Sequence, residues 1–335
     1  MAGRAMPRPA LSTRIFAPKK HIAKTGTAGY NTCYECAPGP QAPPPLGPIH
    51  YILLRARRAA WVREARFPHR AGGCIFSGRR AGTEHMERLT SRKNETVRRL
   101  RRLGAEKGFR RQEGEYLCDG RKLLREALLH GAALGTVLWA TEPEPGLRAA
   151  AQYAVPQEIL DYVSPMKHPA EVLFTVKLPA WPEAAPGRTL VLETVQDPGN
   201  LGTILRTANA LGLDQVILTG DCADPYQPKC VRAAMGALFR QPMLELERGE
   251  LQAYLQAQGL RLYGAALAPA AQDIRHLDLQ NCAVAIGSEG RGLSRELLDL
   301  CDGELIIPMR PGCESLNAAV AAAIVMWELQ RDRLG

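Results

Sequence analysis

Asn200 and Arg206 are the first residues in this chain whose types and spacing could do chemistry. They follow an apolar run at residues 190–192 and an Asp-Pro-Gly turn at residues 197–199, in which Pro fixes φ and Gly tolerates positive φ. A guanidinium stays protonated, so Arg206 could bind phosphate or stabilise developing negative charge. We expect a strand, a turn and a helix capped by Asn200, at the strand end where open α/β sheets bind ligands.

A glycine-rich turn that contains one carboxylate forms a second candidate site. The stretch GSEGRG at residues 287–292 includes Glu289 and follows an apolar strand predicted at residues 283–286. Its glycines let the chain turn tightly and let a ligand approach the backbone. The spacing is G-x-x-G-x-G and falls late in the chain. A dinucleotide-dependent oxidoreductase, which needs G-x-G-x-x-G in its first βα unit, is therefore disfavoured.

A third loop with polar residues follows a strand predicted at residues 304–307. It ends at Ser315, which we expect to cap the last helix, and it places Asn317 in the first turn. Polar groups at a helix N-terminus favour a bound anion such as phosphate. Parallel strands end at one edge of a sheet, so we expect the three loops to meet there.

Alternating periodicities predict an α/β protein. The apolar and turn patterns divide the chain into a small α/β domain at residues 86–178, a proline-containing linker at 179–188 and a domain with a mostly parallel sheet at 189–335. Strands are predicted at residues 115–118, 136–140, 171–176, 190–192, 215–218, 260–265, 283–286 and 304–307. Helices are predicted at residues 94–103, 120–130, 145–152, 200–211, 228–239, 250–258, 294–300 and 315–334.

The positive charge lies at the amino end of the chain. Residues 1–85 hold 14 basic and 3 acidic residues, so the remainder of this +9 chain has a net charge of −2. The first 85 residues are rich in Pro and Arg without sustained periodicity, so we expect either a disordered arm or a misassigned extension upstream of Met86. A targeting peptide is a third alternative.

A local basic patch in residues 86–126 suits nucleic-acid phosphate, although a solvated helix face would have the same composition. Nine scattered cysteines are typical of reduced thiols in a cytosolic protein. No second ligand pair accompanies Cys33 and Cys36, so no metal site is expected. No apolar run is long enough to span a membrane. The candidate RNA-binding residues are Arg92, Lys93, Arg98, Arg101, Arg110 and Arg111.

Taken together, the three loops resemble the signature motifs of the SpoU (TrmH) family of RNA ribose 2′-O-methyltransferases, within the SPOUT superfamily. The matching patterns are Asn200-x-Gly202-x-x-x-Arg206-x-Ala208, then Gly-Ser-Glu-Gly-x-Gly, then Ile-Pro-Met and, after five intervening residues, Ser-Leu-Asn. The resemblance covers residues 86–335. Residues 92–120 are similar to the small substrate-binding domain, like ribosomal protein L30e, of many members. Ala234 stands where many members have serine, which puts any role of that hydroxyl in doubt.

The resemblance implies a C-terminal trefoil knot whose loops hold S-adenosylmethionine, and a homodimer formed by the Asn200 helix and the last helix. It implies a catalytic group of Arg206, Asn200, Ser315, Asn317 and Glu289. Physical chemistry argues against Arg206 as the base, so we expect it to bind phosphate and stabilise the alkoxide. The residues implied to contact the cofactor are Ala266, Leu267, Gly287, Gly290, Ile307, Met309 and Leu316.

The resemblance leaves the substrate open. We expect 23S ribosomal RNA because the small domain is similar to a ribosomal protein, which is an analogy at the level of the fold. Transfer RNA is one alternative, and a catalytically inactive RNA-binding protein of the same fold is another. A cytoplasmic location is expected.

Overall fold

A computed structural model of the chain describes residues 86–181, 186–313 and 315–334, so the expectations for residues 1–85 lie outside the described residues. The first part, here called the N-terminal lobe, contains a mixed four-stranded sheet of order β1-β4-β2-β3. β4 is antiparallel to both β1 and β2, whereas β3 lies parallel to β2 at the edge. Its strands are β1 (Glu115–Asp119), β2 (Leu134–Trp139), β3 (Ala151–Ala154) and β4 (Val172–Lys177).

The second part, the C-terminal lobe, contains a seven-stranded sheet of order β7-β6-β5-β10-β8-β11-β9, in which each neighbouring pair is parallel. Its central strands are buried on both faces, which explains their continuous apolar sequences. The predicted α/β class and parallel sheet are confirmed. The strands are β5 (Arg188–Glu193), β6 (Gln215–Thr219), β7 (Met243–Glu245), β8 (Arg261–Ala265), β9 (Gln272–Asp273), β10 (Cys282–Ile286) and β11 (Gly303–Ile306).

Helices cover both sheets. The first one shows why they form: Asn94 caps it by accepting from the N–H groups of Thr96 and Val97, and its buried side chains recur every three or four residues. The α-helices are α1 (Glu95–Ala105), α2 (Lys107–Glu113), α3 (Arg121–Leu129), α4 (Gln157–Val163), α5 (Pro198–Ala210), α6 (Pro228–Ala234), α7 (Arg248–Ala257), α8 (Arg295–Leu298) and α9 (Ala318–Gln330). No described helix has the length and apolarity that a bilayer-spanning helix requires.

Two predicted helices were wrong in part or in whole. Residues 145–152 form no helix; their end enters β3, whose edge pairing with β2 overrides a weak local helix propensity. The helix predicted at residues 228–239 ends at Ala234, because Met235 and Gly236 take the left-handed conformation with φ of 48° and 89°. A short 3₁₀ turn then follows at Ala237–Phe239.

The two lobes share buried contacts. A single apolar cluster includes Tyr116 and Phe174 of the N-terminal lobe together with Leu201 and Val231 of the C-terminal lobe. Beside this cluster the buried Arg110 donates from Nε and Nη2 to one carboxylate oxygen of Asp224, at 2.9 and 2.6 Å. Burial and hydrogen bonding therefore fix the junction between the lobes.

The junction corrects one expectation about the basic patch. Arg110 was predicted to bind RNA, but its guanidinium is buried against Asp224 and also donates to the backbone oxygen of Leu103 at 2.6 Å. A guanidinium whose donors are used in this way has no face left for a phosphate. Sequence alone could not distinguish this arginine from its exposed neighbours, because its partner lies 114 residues away.

Candidate functional site

The carboxyl ends of two central strands lie side by side at one edge of the parallel sheet. Ile286, the last residue of β10, pairs with Leu192 of β5. The loops that follow these strands are those of Glu289 and Asn200. The loop after β11 starts two strands farther along the same edge. The parallel topology therefore places the three polar loops at the same edge of the sheet, where open α/β sheets bind their ligands.

A chain of side-chain hydrogen bonds joins the three loops. Asn317 Nδ2 donates to Asn200 Oδ1 at 3.2 Å, and Asn200 Nδ2 donates to Glu289 Oε1 at 2.6 Å. The direction of the chain is set at its start, because Asn317 Oδ1 accepts from the backbone N–H groups of Ala319 and Val320. Asn317 must therefore present its NH₂ group to Asn200. The expected meeting of these loops thus rests on direct contacts.

The helix caps differ from those expected. The cap of α5 is Asp197, whose carboxylate accepts from the backbone N–H of Asn200 at 2.8 Å. The Lys229 ammonium and this N–H hold the pKa of Asp197 below its usual value. The cap of α9 is Asn317, so the predicted capping by Asn200 and by Ser315 was wrong. Because Asp197 does the capping, the side chain of Asn200 is free to reach the other loops.

The glycine-rich loop folds back on its own backbone. Ser288 and Gly292 exchange backbone hydrogen bonds at 3.1 and 2.9 Å. A Cβ atom at Gly287 would lie 2.0 Å from the carbonyl carbon of Gly292, so this position admits only glycine. By contrast, a Cβ at Gly290 would meet nothing within 4 Å. Gly287 is thus required for the fold of the loop, whereas Gly290 leaves open space at its tip.

Glu193 anchors this loop and was missed by the sequence analysis. The carboxylate is buried at the end of β5, where it accepts from the N–H of Ser294 at 2.7 Å and from its hydroxyl at 2.6 Å. Arg248 Nε lies 2.9 Å from the same carboxylate. The signal available in the sequence was an acidic residue that ends an otherwise apolar strand, just before the turn.

We expect Glu193→Gln to weaken binding of S-adenosylmethionine by about tenfold, because the loop loses a charge-assisted anchor of ordinary strength. Isothermal titration calorimetry measures this change. The matched control is Asp299→Asn, which removes an exposed carboxylate whose one ion-pair partner among the described residues is Arg295, on the neighbouring helix turn. Equal affinities in the two variants would contradict the anchoring role.

The residues expected to contact the cofactor lie in the loops that follow β8, β10 and β11, which are adjacent in the sheet. Leu267 is 59% exposed and Leu316 is 36% exposed, so these loops present apolar side chains that a flat adenine ring could cover. Together with the open space at Gly290, this surface fits the chemistry of S-adenosylmethionine. Among the described residues, no group of three or more His, Cys, Asp or Glu side chains could hold a metal ion.

Arg206 faces a different part of the molecule from Asn200. It is exposed on α5 and lines a cavity of about 610 Å³ between the lobes, whose wall contains none of the residues of the three loops. Within the described residues its side chain forms no ion pair or hydrogen bond, whereas the side chain of Asn200 bonds to Glu289 and Asn317. A Cβ at Gly202 would lie 2.6 Å from both the backbone oxygen of Cys230 and the Cβ of Ala233, so this glycine serves helix packing.

The other basic candidates divide into free and occupied groups. Lys93 and Arg98 are exposed and have no carboxylate partner among the described residues. Arg92 and Arg101 lie over the ring of Tyr162, at 5.2 and 4.0 Å from its centroid. Arg111 is exposed but forms an ion pair with Glu245. The exposed basic surface is therefore centred on α1 and the residues just before it.

Comparison with known proteins identifies families for both lobes. Residues 187–327 match the SpoU rRNA Methylase family. Residues 94–173 match the family described as MRM3-like substrate binding domain.

Similar proteins extend over most of the chain. An uncharacterized tRNA/rRNA methyltransferase of Synechocystis is 37% identical over 75% of this chain and 96% of its own length. The 23S rRNA (guanosine(2553)-2′-O)-methyltransferase RlmP of Bacillus subtilis is 32% identical over 73% of this chain and its full length, 100%. The crystal structure of the SpoU methyltransferase AviRb from Streptomyces viridochromogenes in complex with AdoMet superposes with a TM-score of 0.66. It is 29% identical and covers 72% of this chain and 99% of that one.

Proposed function

This chain belongs to the SpoU rRNA methylase family, and we propose on that premise that it transfers a methyl group from S-adenosylmethionine to a ribose 2′-hydroxyl of 23S ribosomal RNA. The observation that supports this most directly is the hydrogen-bonded chain from Asn317 through Asn200 to Glu289, since it joins all three motif loops. The name of the Bacillus subtilis relative supports 23S rRNA as the substrate.

When bound, S-adenosylmethionine supplies an electrophilic methyl group, so the protein has to position the ribose oxygen and manage its proton. Arg206 does not act as the base, because a guanidinium stays protonated. Instead it binds the phosphate next to the target ribose and so helps to position the 2′-hydroxyl. The proton leaves to water or to a phosphate oxygen of the substrate.

The remaining polar residues hold the loops in register. Glu289 accepts a hydrogen bond from the amide of Asn200 and so orients it. Asn317, at the start of α9, donates to the oxygen of the same amide and thereby connects α9 to it. Ser315, exposed near the start of α9, offers its hydroxyl to a substrate phosphate. The seven proposed cofactor contacts belong to the loops that follow β8, β10 and β11. The trefoil knot and these contacts remain proposals that a structure with bound cofactor tests directly.

Methyl transfer to defined RNA tests the proposal. The protein is incubated with methyl-labelled S-adenosylmethionine and, separately, with 23S rRNA, 16S rRNA and bulk transfer RNA. Sites of 2′-O-methylation are then mapped by reverse transcription. Labelling of 23S rRNA at one ribose is expected. Labelling of transfer RNA alone would identify the alternative substrate, and RNA binding without transfer would indicate an inactive member of the family.

We also propose a cytoplasmic location.

The N-terminal lobe is proposed to bind RNA through the exposed cations around α1. The affinity for RNA falls as salt rises, and we expect Lys93→Ala and Arg98→Ala each to weaken this dependence. The slope of log affinity against log salt should become less negative by about 0.7 to 0.9, the value of one phosphate contact. Filter binding over a range of salt concentrations measures the slope. The control is Arg102→Ala on the same helix, because Arg102 already pairs with Glu106 at 2.9 Å. Unchanged slopes in the first two variants would place the RNA elsewhere.

We propose that the chain is a homodimer that uses the outer face of α9. Val320 is 48% exposed and Trp327 is 52% exposed on a helix that is apolar almost all round. We expect Trp327→Glu to produce monomers in light scattering, because a buried charge destabilises the interface. The matched control is Leu129→Glu, an exposed leucine on α3 of the other lobe. A dimer that persists in Trp327→Glu would exclude this face.

A further inference from the structure

The cavity between the lobes has the size of a small-ligand site. Its volume is about 610 Å³, and it opens between α3 of the N-terminal lobe and the end of α5 with the turn after α6 of the C-terminal lobe. Pockets that bind small molecules commonly measure about 300–1,000 Å³, so one nucleotide fits with space to spare. Small side chains keep the space open, among them Ala170, Ala210 and Ala237.

The charges around this cleft favour an anion. Its lining contains four basic and two acidic side chains. Both acids are already matched: Asp119 pairs with Arg232, and Glu126 lies 3.6 Å from Arg240. The other two cations, Lys122 and Arg206, form no ion pair or side-chain hydrogen bond with any described residue. They come from opposite lobes, so an anion between them would meet a positive charge on each side.

The cleft also presents an apolar surface in a fixed position. Met235 lines it and is 39% exposed, so its side chain is accessible to a ligand in the cleft. Its backbone φ of 48° and that of Gly236 at 89° end α6, and the turn that follows lines the cleft through Met235 and Ala237. A methionine thioether packs favourably against aromatic rings, and a nucleobase presents such a ring.

We propose that this cleft binds one unstacked ribonucleotide of the RNA, with its phosphate between Lys122 and Arg206 and its base against Met235. The inference rests on the proposed function, because it takes the substrate to be RNA. It adds Lys122 and Met235 to the substrate site, and it explains why an unpaired arginine faces the junction of the lobes. It also requires a single-stranded segment, because a base inside a duplex cannot leave its stack without loss of pairing.

The test compares a single strand with a duplex. The probes are a fluorescein-labelled oligouridine and an RNA duplex, each of about ten nucleotides or base pairs, comparable to the site of one single-strand-binding module. Anisotropy gives the affinity of the wild-type protein, of Lys122→Ala and of Ala210→Trp, which fills the cleft. We expect both variants to bind oligouridine at least about tenfold more weakly, the value of one charge-assisted contact, with duplex binding unchanged.

Two controls make the result specific. Lys107→Ala removes an exposed lysine of α2 outside the cleft, and we expect it to change both probes by the same factor. Calorimetry with S-adenosylmethionine verifies that each variant is folded and binds its cofactor as the wild type does. The cleft proposal is overturned if Ala210→Trp binds oligouridine like the wild type, or if Lys122→Ala weakens both probes equally.

The outcome also separates this inference from the proposed function. If the wild-type protein transfers no methyl group to RNA while both variants still lose oligouridine binding, the function fails and the cleft stands. If the wild-type protein methylates rRNA and both variants keep the oligouridine affinity and the KM for RNA of the wild type, the function stands and the cleft fails.

Discussion

Arg206→Ala is expected to lower the rate of methyl transfer by about 10²-fold, the loss that a misplacement of the substrate by about 1 Å can cause. Binding of S-adenosylmethionine should stay unchanged, because Arg206 lines the cleft between the lobes and not the loops after β8, β10 and β11. Single-turnover kinetics with saturating RNA measures the rate, and calorimetry measures cofactor binding.

Two variants accompany this experiment. Arg206→Lys keeps the charge but loses the planar pair of donors, so an intermediate rate is expected. Arg261→Ala removes an arginine at the amino end of β8, the sheet edge opposite the site, and should leave the rate unchanged. A wild-type rate in Arg206→Ala would remove this residue from the mechanism.

Arg110→Ala is expected to lower the free energy of unfolding by about 3–5 kcal/mol, because it leaves Asp224 as an uncompensated charge at the junction of the lobes. Only 4% of the Arg110 side chain and 9% of the Asp224 side chain are exposed, so water cannot replace the lost partner. Urea denaturation followed by circular dichroism measures the change.

The adjacent residue supplies the control for this prediction. Arg111 also bridges the lobes, to Glu245, but both side chains are largely exposed. Arg111→Ala should therefore lower the free energy of unfolding by no more than about 1 kcal/mol. Joint replacement of Arg110 by methionine and Asp224 by leucine should recover much of the lost stability, since apolar pairs of similar volume can replace a buried ion pair. Equal effects of Arg110→Ala and Arg111→Ala would show that burial does not determine the strength of the pair.

Local patterns were sufficient for the elements whose periodicity is strong. Two apolar runs predicted the strands β5 and β10, and an apolar stripe predicted the helix α5. Each pattern indicates one type of secondary structure because the chain must bury its apolar residues. The family was also predictable, since its assignment depends on three motifs that occur in order in the sequence. The edge strand β3 was missed because its stability comes from pairing with β2, not from its own residues.

The helix caps show that the sequence can supply the candidate residues of a site without deciding which role each one takes. Asp197, Asn200, Ser315 and Asn317 are all able to cap a helix, so propensity alone could not select among them. The tertiary structure selects Asp197 and Asn317. That choice releases the amide of Asn200, and only then can one hydrogen-bonded chain join the three loops.

The sequence by itself determined the types of chemistry available: guanidinium, amide and carboxylate groups at the ends of predicted strands, with glycine where the backbone turns. Only the tertiary structure decided which of these groups are free. It buried Arg110 against Asp224 and tied Glu193 to Ser294. It left Arg206 without an ion-pair partner among the described residues, in the cleft that Lys122 also lines. The physical reason is that ion pairing and burial depend on partners about 100 residues away, and a linear pattern contains no information on that distance.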